Sequence, residues 1–440
     1  MKKILQKTLR FFARRILQKY QPKVVGITGS IGKTSTKEAI FTVLSSEFRV
    51  RRTDKNYNNE VGLPLTVIGA ESGGRNPLKW LAVFLKAGKM LLRRDRNYPE
   101  ILVLEMGADR PGDIKYLTEF VSCQVGVVTG IAPVHTEFFG SIEAIVKEKS
   151  ILVRSLDRDG VAVLNADDEV TAGMAIGLKA QVLTYGFAES ATIRAFEEKV
   201  SGQNFSRQDG VEAIRGLSFK IAYAGSTVPV FLPAVLGRHS ISAALAAIAV
   251  GVAFKINLIR IAENLKQYRP PKGRMNLIDG IKYTLIIDDT YNSSPLPANA
   301  ALETLAKIKL PPGRHKFAVF GDMLELGGYT EKAHLAIGRK VAELGIDYLV
   351  TVGQCSRQTA NAAKGLSAQA GAGLSADRVF SFDAAGEAAD FLQDRIEQGD
   401  LLLVKGSQGT RMEKVVKELM AEPLRAGELL CRQEGKWANN

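Results

Sequence analysis

Two series of short β-branched segments that alternate with helical stretches predict an α/β protein with mostly parallel sheets. A proline-rich break lies between the two series, at residues 268–274. A chain of 440 residues is also too long for one compact core. These observations predict two α/β domains, with ligands bound at the carboxyl ends of the strands.

The first series runs from residue 23 to about residue 268. Its strands are KVVGIT, ILVLEMG, VGVVTGI, GVAVLNADD and QVLTYGF. Between residues 190 and 235 the helical spacing disappears, and LSFKIAYAG and TVPVFLP predict a small antiparallel insert. The run ISAALAAIAVGVAF at 241–254 is too short to span a bilayer and is rich in Ala, which predicts a buried helix.

The segment YRPPKGR at 268–274 is interpreted as a linker, because paired prolines stop a helix and charged neighbours favour exposure. The second series follows with YTLIIDDTY, HKFAVFGDM, DYLVTVG, RVFSF and DLLLVKGS. The predicted organisation is a basic N-terminal helix over 1–22, a nucleotide-binding central domain over 23–268 and a Rossmann-like C-terminal domain over 269–440.

The net charge of +13 is concentrated near the N-terminus. Residues 1–23 carry eight Lys or Arg and no acid, which leaves +5 for the other 417 residues. Leu5, Leu9, Phe12 and Ile16 fall on one helical face. Two interpretations stay open: a basic amphipathic helix on an anionic membrane surface, or a terminal helix packed on the protein body. The basic apolar stretch LKWLAVFLKAGKMLLRRDR at 78–96 adds weight to a peripheral membrane contact.

The chain has three widely spaced cysteines, Cys123, Cys355 and Cys431. Their odd number and their lack of metal-type spacing argue against a disulfide framework and for a reducing compartment. A cleavable secretory signal fits poorly, since charges interrupt the N-terminal apolar stretch. We therefore expect a cytoplasmic protein, and no nucleic-acid partner is expected.

The segment GITGSIGKTST at 26–36 lies between the strand KVV and a helical stretch. In that setting backbone N–H groups and a helix N-terminus converge on an anion, so the expected ligand is a phosphate. Gly32, Lys33 and Thr34 match the end of a Walker A loop, in which Lys reaches the terminal phosphates and Thr can bind Mg²⁺. The strict signature also requires Gly at position 27, where this chain has Ile.

Two later strands bring further polar residues to the same edge of the predicted sheet. Glu105 ends the strand in VLEMGADRPGDI, where an acid can hold a metal opposite a phosphate loop. His135 follows the strand VGVVTG, and Lys149 lies on the next helix. A lone acid or histidine in such a place is often structural. Glu105 is therefore a candidate metal ligand, and His135 is worth notice because the chain has only four histidines.

Nine motifs in this order resemble the Mur ligase family across residues 23 to about 420. They are GITGSIGKTSTKEAI, NNEVGLPL, VLEMGADRPGDIKYLT, GIAPVHTEFFGS, VLNADDE, GRMNLIDG, IIDDTYNSSP, FGDMLELG and LLVKGSQGTRMEKVV. NNEVGLPL, DDTYNSSP and DMLELG resemble most the branch that adds D-alanyl-D-alanine to a UDP-muramoyl-tripeptide in peptidoglycan synthesis.

The resemblance implies an ATP-dependent amide ligase. In such an enzyme a substrate carboxylate attacks the γ-phosphate, and an amine then opens the acyl phosphate. A carboxylate and a triphosphate repel each other, so cations must lie between them. By similarity, ATP would be bound by Gly29, Ser30, Gly32, Lys33, Thr34, Ser35, His239, Arg274 and Asp288.

The resemblance also implies two Mg²⁺ ions. Thr34 and Glu105 would hold one, and His135 and a carbamate formed on the Lys149 amine would hold the other. Carbamylation converts Lys149 from a cation to an anion. Lys147 is two residues earlier, so on a helix it points elsewhere.

Residues of the second series also match family positions. Arg274 resembles the arginine that reaches ATP phosphate when the C-terminal domain closes, and it is counted with Lys33, His135 and Lys149 as catalytic. Asp288 or Asp289 resembles the acid on the ribose side. The positions that match those near the incoming amine are Asn292, Ser407 and Arg411.

Two features depart from the family pattern. Members of this branch carry an N-terminal domain that binds the UDP-sugar, whereas here the phosphate loop begins at residue 26 and twenty-odd residues cannot fold into such a domain. We expect either that the uridine nucleotide is held differently or that the acceptor is another peptide, for example a lipid-linked one. After His239, Ser240 and Ala243 replace two Asn residues of the family, and a hydroxyl offers adenine less than an amide does.

Three functions follow. The first is the D-alanyl-D-alanine-adding ligase of cell-wall precursor synthesis, with ATP and Mg²⁺. The second is a ligase of the same fold with a non-UDP acceptor, as in folylpolyglutamate and cyanophycin-type relatives. The third is an ATP-binding scaffold at a membrane surface that catalyses no ligation.

Overall fold

The computed structural model describes residues 2–54, 57–132, 139–202, 214–365, 373–434 and 437. It divides into two compact units. The first comprises 1–198, 219–231 and 239–269, and the second 199–218, 232–238 and 270–440. Two short insertions therefore join the second unit ahead of the proline-rich segment.

Up to residue 265 the chain forms nine strands and nine helices among its described residues. The strands are β1 (Lys23–Thr28), β2 (Val50–Arg52), β3 (Ile101–Glu105), β4 (Val125–Val128), β5 (Val161–Asn165), β6 (Gln181–Gly186), β7 (Ile193–Ser201), β8 (Gly216–Tyr223) and β9 (Ser226–Pro233). The helices are α1 (Lys2–Tyr20), α2 (Lys33–Ser45), α3 (Gly62–Ile68), α4 (Pro77–Leu92), α5 (Asp113–Thr118), α6 (Ile142–Arg154), α7 (Glu169–Gly173), α8 (Arg238–Ala253) and α9 (Leu258–Leu265).

The nine strands form one sheet in the order β2-β3-β1-β4-β5-β6-β7-β8-β9. β1 pairs in parallel with β3 on one side and with β4 on the other. The loops that follow these three strands therefore leave the sheet at one edge, side by side.

The predicted insert differs in one respect from the structure. β8 and β9 are joined by Ala224 and Gly225, both at positive φ, which is the backbone of a tight hairpin. β7, however, pairs in parallel with β6 and so extends the main sheet. The short connection from β6 to β7 contains no helix, and the residues of β7 are charged and half-exposed. The sequence therefore did not assign β7 to a parallel sheet.

The described residues after 265 form six strands and six α-helices. The strands are β10 (Asn276–Asp279), β11 (Leu285–Asp289), β12 (Lys316–Gly321), β13 (Tyr348–Val352), β14 (Val379–Phe382) and β15 (Leu401–Lys405). The helices are α10 (Pro295–Lys307), α11 (Thr330–Glu343), α12 (Arg357–Gly365), α13 (Ala385–Arg395), α14 (Glu413–Leu419) and α15 (Ala426–Leu429).

These six strands form a second sheet in the order β10-β11-β15-β12-β13-β14. Only β10 is antiparallel to its neighbour, and the other pairs are parallel. The prediction of an α/β protein with two mostly parallel sheets is confirmed. β2 and β10 were not predicted, because segments of three or four residues carry too little periodicity.

The N-terminal helix α1 packs on the first unit. Leu9, Ala13 and Ile16 are fully buried and join the core that α3, α4 and β3 also form. This buried face agrees with the second interpretation of the N-terminal segment, a helix packed on the protein body. No described helix is both long enough and apolar enough to cross a membrane.

Candidate active site

The loop between β1 and α2 is shaped by two glycines at positive φ, Gly29 at 142° and Gly32 at 81°. The backbone N–H of Ser30 donates to the Gly130 carbonyl at 2.7 Å, and its hydroxyl donates to the Ala132 carbonyl at 2.9 Å. Thr129 Oγ1 donates to the Ile31 carbonyl at 2.5 Å. The end of β4 therefore holds the glycine-rich loop in place.

Gly29→Ala is expected to weaken adenine-nucleotide binding by about tenfold or more and to lower the melting temperature. A Cβ at this position would lie 2.0 Å from Thr129 Oγ1, at a φ that side chains rarely adopt. Calorimetric titration with ADP measures the first effect and a thermal melt the second. Gly386→Ala is the control, since a Cβ there meets no atom within 4 Å. Wild-type affinity and melting temperature in Gly29→Ala would contradict this description of the loop.

The N-terminus of α2 directly follows the same loop. Its first internal hydrogen bond runs from the Thr36 N–H to the Gly32 carbonyl, and no side chain caps the helix. The amides of Lys33, Thr34 and Ser35 therefore have no acceptor within the helix. Their partial positive charge suits a phosphate.

The Lys33 ammonium lies over the loop that it follows. Its Nζ donates to the carbonyls of Gly29 at 2.7 Å and Ser30 at 3.2 Å. These bonds place a positive charge beside the N-terminal amides of α2, as expected for a lysine that binds terminal phosphates.

Glu105 ends β3 next to this loop, since its Cα pairs in register with Ile27 of β1. The side chain is 4% exposed. Oε1 accepts a bond from Asn58 Nδ2 at 3.3 Å, whereas Oε2 is buried with no hydrogen-bond donor. The Lys37 ammonium approaches Oε2 only to 3.9 Å. A buried carboxylate oxygen without a hydrogen-bond donor is a suitable ligand for a further cation such as Mg²⁺.

Lys149 lies on α6 with 3% of its surface exposed. Burial, with the positive charge of Lys33 as the second cause, lowers the pKa of its amine to about 7. Glu148 beside it is already used, since its carboxylate accepts from the N–H groups of Gly112 and Ile114. Lys149 is thus a buried amine that is largely neutral above pH 7, the form that adds CO₂, and Lys147 is exposed.

Three of the four predicted metal ligands, Thr34, Glu105 and Lys149, are among the described residues. Among the described residues, no three His, Cys, Asp or Glu side chains gather as a metal cluster. The predicted ligands, however, include a threonine and a modified lysine, and His135 lies outside the described residues. The Glu105 oxygen that has no hydrogen-bond donor and the buried Lys149 amine with its lowered pKa fit the predicted pair of Mg²⁺ ions.

Sequence reasoning missed several residues that support this site. Asp168 accepts from the Ile131 N–H at 2.7 Å, and Asn165 Nδ2 donates to the Thr129 carbonyl at 3.0 Å. Both belong to VLNADDE, and both fix the end of β4 that holds the glycine loop. Lys37 lies one helical turn after Lys33, a spacing that could have pointed to it.

His239 lies exposed in the first turn of α8. Ser240 is 2% exposed and Ala243 is 3% exposed, so both replaced positions face the inside of the protein. The effect of these two replacements on adenine binding stays a prediction.

In the second unit the two candidate acids differ sharply. Asp289 Oδ2 accepts from the buried Lys405 ammonium at 2.6 Å. Asp288 is fully buried; Oδ1 accepts from the Thr290 hydroxyl at 2.6 Å and Oδ2 has no partner. Burial raises the pKa of the Asp288 carboxyl to about 6. Asp288 is therefore the acid with unused binding capacity.

Asp288→Asn is expected to stabilise the protein at pH 7.5 by on the order of 2 kcal/mol. Because the folded pKa of Asp288 is raised, the folded state binds its proton more tightly than the unfolded state, and stability falls as pH rises from about 4 to 6. The gain should therefore shrink below pH 5. Denaturant unfolding across a pH series measures it.

Asp289→Asn serves as the matched control for that variant. It leaves the buried Lys405 ammonium without its carboxylate, so it should destabilise at neutral pH. A gain in Asp288→Asn that is independent of pH, or a loss at pH 7.5, would contradict the assignment.

The other predicted residues of the second unit have the following places. The Arg274 guanidinium stacks 4.3 Å from the Tyr291 ring centroid. Asn292 is exposed, and its Oδ1 accepts from the Ser293 N–H at 2.9 Å. Ser407 Oγ is buried, accepts from the Leu324 N–H at 2.9 Å and donates to the Ser293 carbonyl at 3.3 Å. Ser407 thus ties three loops together.

Arg411 lines a cleft of about 460 Å³ at the carboxyl ends of β12, β13 and β14. Its guanidinium donates to Glu413 Oε1 at 2.5 Å and to the Trp437 carbonyl at 3.0 Å. Lys414, Asp322 and Asp383 line the same cleft. The cleft therefore offers both signs of charge.

This fold and this loop are those of ATP-dependent amide ligases, and the comparison with known families agrees. Residues 85–251 match the Mur ligase middle domain, and residues 273–408 match the Mur ligase glutamate ligase domain. The chain belongs to the Mur ligase family.

Individual relatives show which members of the family this chain resembles. The chain is 30% identical to the UDP-N-acetylmuramoyl-tripeptide--D-alanyl-D-alanine ligase of Bacillus subtilis over 416 residues, which is 94% of this chain and 80% of that protein. A crystal structure of MurF from Acinetobacter baumannii superimposes with a TM-score of 0.74 at 29% identity, over 93% of this chain and 79% of that one. The MurF ligase of Thermotoga maritima in complex with ADP gives a TM-score of 0.71 at 25% identity, over 94% and 83%.

Proposed function

We propose that this ligase joins D-alanyl-D-alanine to a muramoyl peptide in cell-wall precursor synthesis, at the expense of ATP. The observation that carries the proposal is the buried, unpartnered Glu105 oxygen beside the glycine loop. The names of the relatives support the choice of substrates.

The reaction has two steps. A carboxylate oxygen of the acceptor attacks the γ-phosphorus of ATP, and ADP leaves. The amine of the dipeptide then attacks the acyl carbon, phosphate leaves and the amine loses a proton. Lys33 and the α2 amides hold the phosphates against their repulsion by the acceptor carboxylate.

Two Mg²⁺ ions complete the proposed site and would neutralise charge on the phosphates. Thr34 and Glu105 are the proposed ligands of one ion. His135 and carbamylated Lys149 are the proposed ligands of the other. The pKa of the Lys149 amine, lowered to about 7 by burial, supports the carbamate, since only a neutral amine adds CO₂.

The cleft beside Arg411 is the proposed site for the incoming dipeptide. A dipeptide zwitterion carries a carboxylate and an amine, and the cleft offers Arg411 and Lys414 together with Asp322 and Asp383. Arg274 and Asp288 are proposed for the phosphate and ribose sides of ATP. The three free cysteines support a cytoplasmic location.

A phosphate-release assay tests the proposal. Purified protein is incubated with Mg²⁺-ATP, D-alanyl-D-alanine and either UDP-muramoyl-tripeptide or a lipid-linked muramoyl tripeptide. Release with either muramoyl acceptor, and only when the dipeptide is present, supports the proposal, and the preferred acceptor identifies the carrier. No release with any acceptor would contradict ligase activity and leave an ATP-binding scaffold.

A further inference from the structure

Helix α4 is apolar on two opposite faces. Val83, Ala87 and Met90 are buried in the core of the first unit. Four leucines lie on the other side in a stripe of helical spacing, Leu78, Leu81, Leu85 and Leu92, and they are 73%, 54%, 66% and 90% exposed. Folding does not account for this outer stripe, because a helix that packs on one face normally has a polar opposite face.

Helix α1 lies beside α4 and runs in the same direction. The Phe12 ring stacks on the Phe84 ring with the centroids 5.9 Å apart. Two turns further along both helices, Lys19 Nζ donates to the Leu91 carbonyl at 2.7 Å. α1 also has exposed apolar side chains, since Ile4 is 70% exposed and Phe11 is 54% exposed.

Helical periodicity places both exposed stripes on the same side. At 3.6 residues per turn, the α4 leucines point directly away from the buried face, with Phe84 turned toward α1. Ile4 and Phe11 likewise point away from the buried face of α1, with Phe12 turned toward α4. The two stripes therefore form adjacent parts of one outer surface.

Basic residues border this surface at both outer edges. Beyond the leucines, on the side away from α1, α4 carries Lys89. Beyond Ile4 and Phe11, on the side away from α4, it carries Lys7 and Arg14. Neither α1 nor α4 contains an acidic residue.

We propose that this surface, the leucine-basic face (Leu78, Leu81, Leu85, Leu92, Ile4 and Phe11 with their basic borders), docks on an anionic lipid surface. Leucines between two basic margins suit the boundary of a bilayer, where the side chains enter the acyl region and the cations meet phosphate headgroups. Charge complementarity selects anionic lipid, since a second copy of this face would oppose lysines to lysines. The inference does not depend on the proposed substrates.

Vesicle flotation of the full chain tests it, with phosphatidylcholine alone and with phosphatidylcholine mixed with phosphatidylglycerol. We expect binding to the mixed vesicles only, weakened by salt. Leu81→Gln/Leu85→Gln should lower the partition coefficient by about tenfold or more, because both side chains leave the acyl boundary. The control is Leu296→Gln/Leu424→Gln, at leucines that are 62% and 101% exposed elsewhere.

A charge pair tests the basic border. Lys7→Glu/Lys89→Glu should abolish the preference for phosphatidylglycerol, whereas the exposed pair Lys179→Glu/Lys309→Glu should not. Circular dichroism confirms that each variant is folded. Absence of wild-type flotation, or flotation unchanged in Leu81→Gln/Leu85→Gln, would overturn the proposal. A wild-type dimer that this variant converts to monomers in light scattering would overturn it too, in favour of a second copy.

Discussion

Lys33→Ala is expected to reduce turnover by about a thousandfold or more, measured as ADP release with Mg²⁺-ATP and both substrates. The Lys33 ammonium lies over the carbonyls of the phosphate loop, close to the N-terminal amides of α2. Without it, two anions must approach each other with less positive charge between them. The fold should be unaffected, since the loop keeps its bonds to the end of β4.

Lys147→Ala is the control for Lys33→Ala, because Lys147 is exposed and lies on α6 of the same unit. It should retain wild-type turnover. If Lys33→Ala were as active as the control, the loop would not be the site of phosphate transfer.

Lys149→Ala should lose activity by about a hundredfold or more and regain part of it when a short carboxylate such as acetate is added. The cavity left by the side chain can admit a free carboxylate, which replaces the proposed carbamate. The same acetate should not raise the activity of Lys33→Ala, of Lys147→Ala or of the wild type. This pattern would separate a lost anion from general damage to the site.

The pH dependence of the wild type follows from the same residue. Burial lowers the pKa of the Lys149 amine to about 7, so protonation below pH 7 removes the neutral amine that adds CO₂. Carbamate occupancy, read from ¹³C-labelled CO₂ by NMR, should rise with pH across this value. A signal absent at every pH, together with no rescue of Lys149→Ala, would contradict the carbamate.

The parts of the site that obey local rules were predictable from sequence. Strand, glycine turn and helix fix the phosphate loop within a dozen residues, and the end of β3 brings Glu105 to it because parallel strands share an edge. Thr129 at the end of β4 was not predicted. Lys149 was located by its family motif, and its burial agrees with the proposed role.

The features that the sequence did not predict depend on contacts between segments that are distant in the chain. The sequence could not separate Asp288 from Asp289, because the difference is the Lys405 ammonium, more than a hundred residues away. Ser407 matched a ligand position, yet its hydroxyl is used by two other loops. The sequence indicated a peripheral membrane contact at residues 78–96, but only the packing of α1 and α3 shows which leucines of α4 stay exposed.

The glycine loop, Glu105 and Mg²⁺ together are proposed to bind a nucleoside triphosphate, and the proposed reaction requires this binding. Calorimetric titration with a non-hydrolysable ATP analogue, with and without Mg²⁺, tests it most directly. We expect saturable binding that tightens with Mg²⁺ in the wild type and loses most of that Mg²⁺ dependence in Glu105→Gln. No heat of binding under either condition, or the same Mg²⁺ dependence in Glu105→Gln, would contradict the claim.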